Sequence, residues 1–224
     1  MEDQEDEVRI LDPCRLTYPE WIRFFFDRPI KDNIFWDEIR QYDEWREIAE
    51  PARIVQYIQT LCLEHKAIRE AYSPDQVEQG LWAIFATYMY QRTLFDPAVD
   101  LGVRTQCVEA MYDLYANVVA SLGGDGRDGF YWMWWDYICH EVWTGGGPTL
   151  SLDRQEILEA VMRTLVKILE LPYRNCQWAA LHGLGHARHP KVREIVQRYL
   201  DVHGADLSDE DRQWVEGCRE CRVM

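Results

Sequence analysis

Three of the chain's six histidines fall between positions 182 and 189, inside the stretch Cys176–Tyr199, CQWAALHGLGHARHPKVREIVQRY. His182 and His186 are four residues apart, so on a helix both imidazoles leave the same face and can meet at one divalent ion such as zinc. His189 comes a further turn along but directly precedes Pro190, which disfavours helix and so marks a corner. The metalloprotease pattern HExxH needs a glutamate after its first histidine. Gly183 stands there, so a hydrolytic zinc helix of that kind is absent. Two readings stay open for the pair. They are metal ligands, joined by His189 or His140, or they are histidines that cap and hydrogen-bond between helices.

Other chemistry-bearing residues specify less. Cys218 and Cys221 form a single CxxC, and with His182 and His186 they make a four-ligand set only if the tail folds back, so free thiols are expected. The run Phe130–Trp143, FYWMWWDYICHEVW, holds more rings than one helix face can bury, and Asp136, His140 and Glu141 give it a polar side. Core packing is one expectation for it. The other is a protein-recognition patch built on Trp132, Trp134, Trp135, Asp136 and His140. The glycine-rich Gly123–Gly129 lacks the lysine and hydroxyl of a phosphate loop and the alternating acids of a calcium loop, so it reads as a corner. No serine nucleophile elbow or carboxylate pair stands out, and His140 and Glu141, being adjacent, point to different parts of a helix. No reaction is specified.

The charge balance narrows the partners. Acids outnumber bases 39 to 24, for a net charge of −15. Nucleic acid and anionic membrane, both of which attract lysine and arginine, are therefore excluded as expected partners, and a basic protein or a cation is better matched. No apolar run reaches membrane-spanning length. The opening MEDQEDEVRI has five acids in seven residues and no basic-then-apolar order, so no signal peptide is expected. That places the chain in the cytoplasm, with its seven cysteines as thiols.

Helical signals dominate the elements that must carry these residues, and strand signals are nearly absent, so the expected fold is all-α. Residues 1–12 read as an acidic lead. Residues 13–50 read as an aromatic N-terminal cap with a short helix before Pro29 and another from Asn33 to Ala49. Residues 51–224 form a helical body in one domain. Its helices start at Pro51, behind the capping sequence Ser73-Pro74-Asp75-Gln76, near Val99 and at Asp153. A last short helix spans Ser208–Val215. In the central stretch a helix Arg174–Ala187, a corner at Arg188–Pro190 and a second helix are expected. Gly183 and Gly185 each cost about 1 kcal/mol against alanine in a helix interior, which calls for a neighbouring backbone close by.

The pattern Ala179-Ala180-Leu181-x-Gly183-Leu184-Gly185, a corner with Pro190, and Val192-x-x-Ile195-Val196-x-x-Tyr199-Leu200 resembles one HEAT-type repeat. The resemblance covers about thirty residues. It implies an α-solenoid of helical hairpins that binds proteins along its surface. The expected function is thus a protein-binding helical-repeat module without a cofactor, of an immunity or inhibitory kind directed at a basic partner. The alternative is a metal-binding protein or metal-dependent enzyme using His182 and His186.

Overall fold

A computed structural model describes residues 15–30, 50–86, 89–122, 129–144 and 149–223. These are helical throughout, with no strand among the described residues, in agreement with the all-α expectation. The acidic lead, the helix expected over Asn33–Ala49 and all but Gly129 of the corner Gly123–Gly129 lie outside the described residues. Among the described residues no helix is long and apolar enough to cross a membrane.

Local sequence sets most helix starts. Helix α1, Tyr18–Phe26, opens with the Thr17 N–H and hydroxyl both donating to Glu20, at 2.9 and 2.6 Å. It buries Trp21, Phe25 and Phe26. Helix α2, Pro51–Leu63, has proline in its first turn, where the missing N–H costs nothing. Ile54, Ile58, Leu61, Cys62 and Ile68 fall at the spacing of one helix face, but the helix is interrupted at Glu64, and a separate short helix α3, His65–Ala71, brings Ile68 back to the core. Helix α4, Pro74–Ala86, starts at the expected capping box, in which the Gln76 N–H donates to Ser73 Oγ and the Ser73 N–H to Gln76 Oε1. A short α5, Met89–Leu94, follows.

Helix α6, Leu101–Leu114, begins two residues later than expected, because Asp100 caps it by accepting from the Val103 N–H at 3.2 Å. It continues through a π turn, Tyr115–Val119, to Leu122. The widened turn is held by side chains from elsewhere: Asn175 Nδ2 donates to the Val119 carbonyl at 2.6 Å and the Cys176 thiol to the Tyr115 carbonyl at 3.5 Å. The aromatic run forms α7, Phe130–Thr144, and Ser151 caps α8, Leu152–Leu169. The central stretch gives α9 over Arg174–Ala187, as expected, and α10 over Val192–His203. The corner turns on Arg188, whose φ of 49° is left-handed. Ser208 caps the last helix α11, Asp209–Arg219, which outruns the expected end at Val215.

Packing centres on α9. It lies against α7, α8 and α11 as well as the π turn, and it buries residues on every side, from Asn175 to Ala187. A helix enclosed all round needs apolar or small residues all round, and Ala179, Ala180, Gly183 and Gly185 meet that need. A Cβ on Gly183 would lie 2.8 Å from Trp135 Cβ and 2.9 Å from Leu165 Cδ2, so glycine lets α7 and α8 close on the same point. A Cβ on Gly185 would meet the Val223 methyls at 2.7 Å, from the tail beyond α11. Beyond this centre, α8 packs on α6, α6 on α2, and α1 on α4.

The two glycines should therefore respond differently to alanine. Gly183→Ala meets packed side chains on two helices, and overpacking of about 1–3 kcal/mol exceeds the roughly 1 kcal/mol gained in helix propensity. Its midpoint in urea should fall. Gly185→Ala meets mainly the Val223 side chain on the tail, which can shift, and its midpoint should stay near that of the parent.

Candidate metal centre

Helices α7 and α9 bring three ligand-type side chains together. His182 and His186 occupy successive turns of α9, and Asp136 faces them from the middle of α7. Asp136 Oδ1 lies 2.9 Å from His182 Nε2 and 3.5 Å from His186 Nε2. One ligand atom from each residue falls within 4.8 Å of the other two. His182 is buried, with only 1% of its side chain exposed, whereas Asp136 and His186 open partly to solvent.

The directions of these atoms matter more than their separations. Asp136 Oδ1, both ring nitrogens of His182 and His186 Nε2 are enclosed, yet none has a hydrogen-bond partner. The 2.9 Å contact has hydrogen-bond length without hydrogen-bond alignment, and alignment is what gives such a bond its strength. A buried polar group left unpaired costs about 1–3 kcal/mol. Asp136 Oδ1, His182 Nε2 and His186 Nε2, which approach this closely without bonding one another, can share a common ion, each imidazole offering it one nitrogen.

Aromatic rings fix the buried imidazole. Trp132 stacks on His182 with centroids 4.3 Å apart and planes 27° from parallel. Trp214 of α11 stacks on Trp132 at 5.0 Å, lies parallel to His182 at 6.4 Å and meets Trp178 at 4.6 Å. His182 and His186 pack edge to face at 4.7 Å. Burial holds the His186 imidazole below its ordinary pKa; Asp136 opposes the shift, and His182 and Arg188 add to it. A neutral imidazole is the form that ligates. Cys139, one turn from the cluster, donates to the Gly183 carbonyl at 3.7 Å, and burial, with Asp136, pushes its thiol well up. It is an inert neighbour.

The remaining candidates are placed elsewhere. His189 stands at the corner, where its Nε2 bonds Glu159 Oε1 at 2.9 Å and its Nδ1 accepts from the Lys191 N–H at 3.2 Å. Since Nδ1 accepts, the proton sits on Nε2 and points at Glu159. Cys218 is buried and Cys221 half-buried, and neither joins the cluster. Of the expected recognition patch, Trp134 and Trp135 are completely enclosed in the core. Trp132 is half-buried within its stack, and only His140 is fully exposed. The sequence pattern groups Asp136 with that patch and not with the histidines. The signal that could have found it is a lone acid amid aromatic residues with a histidine four positions on, the same spacing as His182 and His186.

The Glu159–His189 pair gives a pH signature of its own. The hydrogen bond from His189 holds the Glu159 carboxyl below the usual carboxylate range. Its stabilising contribution is present above the ordinary carboxylate pKa and is lost as pH falls through the depressed value. Glu159 is 43% exposed, so solvent screening keeps the effect under about 1 kcal/mol. Glu159→Gln should lower the urea midpoint slightly at pH 7, and the difference from the parent should vanish in acid.

No protein-family model matches this chain, and no curated protein or solved structure is significantly similar to it.

Proposed function

We propose that this chain binds a divalent transition metal through Asp136, His182 and His186. The observation that carries the reading is the convergence of three enclosed, hydrogen-bond-free ligand atoms within 4.8 Å of one another. Two imidazoles and one carboxylate suit zinc or a neighbouring first-row ion, and not calcium or magnesium, which favour all-oxygen shells. The partial exposure of Asp136 and His186 leaves the solvent side open to further ligands.

The alternative, a protein-binding module for a basic partner, is supported by the net charge of −15. With Trp134 and Trp135 enclosed, such a surface would draw on Trp132, Asp136 and His140 of the aromatic run. The helix–corner–helix of α9 and α10 supports reading that stretch as a HEAT-type unit.

Untagged protein, stripped with a chelator and titrated with Zn²⁺ or Co²⁺, should take up one ion per chain. Because the folded state alone presents the site, zinc at a hundredfold excess over its Kd should raise stability by about 2.7 kcal/mol, and chelator should reverse the gain. Asp136→Asn keeps the side-chain shape but weakens the carboxylate donor, and should lose most of this response. A folded parent protein that takes up neither ion would overturn the proposal.

A further inference from the structure

We infer that His140 is a fourth protein ligand of this centre, so that α7 supplies Asp136 with His140 just as α9 supplies His182 with His186. The inference rests on the metal-binding reading above. Its first support is direction. Trp132 pairs with His182, Cys139 with Gly183 and Trp143 with Ala187, so the two helices advance the same way side by side. Residues one turn apart on each helix then project from neighbouring levels of one groove.

The second support is position. On the surface of α7, His140 is surrounded by Asp136 one turn before it, Cys139 beside it and Trp143 three residues on. All three touch α9, through the cluster, the Gly183 carbonyl and the Ala187 carbonyl respectively. Helical spacing therefore puts His140 on the exposed side of Asp136, at the edge of the face that α7 turns to α9. Helical side chains lean toward the N-terminus, which tilts the His140 imidazole over the turn carrying Asp136.

The third support is freedom. His140 is exposed and makes no hydrogen bond, ion pair or ring contact among the described residues. Its ring lies outside the present 4.8 Å group, and an exposed rotamer change, a low-cost event on the nanosecond scale, is what joining requires. Three imidazoles and a carboxylate complete a four-coordinate shell of the closed kind used to hold zinc. The centre then retains its metal, with no position left for a substrate.

Competition with a chromophoric chelator should measure Zn²⁺ affinity in the parent, His140→Ala and Asp136→Asn, alongside Co²⁺ absorption spectra. His140→Ala should bind zinc at least ~10-fold more weakly, by comparison with the loss of even an outer-shell partner, and its cobalt bands should lose intensity as water replaces imidazole. Its thermal unfolding without metal should match that of the parent, since the side chain is exposed. Equal zinc affinity and an unchanged cobalt spectrum in His140→Ala would refute the fourth ligand and leave the three-ligand centre standing. A parent that binds neither ion overturns both readings.

Discussion

The enclosure of α9 is the constraint on which the other elements depend. A helix in contact with α7, α8, α11 and the π turn keeps almost no solvent face, and past its first residue only Gln177 and His186 reach water. Alanine and glycine occupy the positions where neighbours come closest, and Trp178 fills the wider gap beneath α11. The propensity lost at Gly183 is offset by closer packing of Trp135 and Leu165, and that lost at Gly185 by the close approach of the tail at Val223. The π turn belongs to the same arrangement. Its Val119 carbonyl accepts from Asn175, and its Tyr115 carbonyl, already bonded to the Ala120 N–H, accepts also from Cys176, so the distortion in α6 and the seating of α9 stabilise each other.

Within so apolar a surrounding, His182 is the anomaly. Its imidazole is enclosed, stacked on Trp132, met edge to face by His186, and without a hydrogen bond at either nitrogen. Natural interiors rarely tolerate that, because the desolvation penalty of the ring is not recovered. His189 shows how the same fold treats a histidine of purely structural use. Both its nitrogens are bonded, one to the Lys191 N–H and one to Glu159, and the corner is fixed as a result. The contrast between the two residues, seven positions apart, argues that His182 is kept for a ligand.

Much of the fold was legible in the sequence. The bounds of α9, the capping box at Ser73, the Ser208 cap and the helical character of the aromatic run follow from local rules: periodicity, capping chemistry and the effect of proline on the residue before it. Features set by distant partners were not legible. The π turn depends on side chains some sixty residues along the chain, as in the Cys176–Tyr115 contact, whose separation is 61. The break at Glu64 interrupts a stripe that the spacing alone carries through. The candidate site was half legible. Spacing on one helix brings His182 and His186 together, but no pattern along the chain says that the acid opposite them is Asp136. That pairing is decided by how α7 lies on α9.

Gly183 links the fold to the site. It falls between the two histidines, where the HExxH pattern would place its glutamate, and its missing side chain lets Trp135 of α7 rest almost on the α9 backbone. Asp136 follows Trp135 directly, so the close approach that Gly183 permits also brings the carboxylate to within 2.9 Å of His182. A larger residue at position 183 would push α7 outward and separate the ligands before it altered any of them. The residue that rules out the familiar hydrolytic helix is thus the one that admits a carboxylate from a second helix. The packing of α9 and the assembly of the cluster are one constraint, met at a single position.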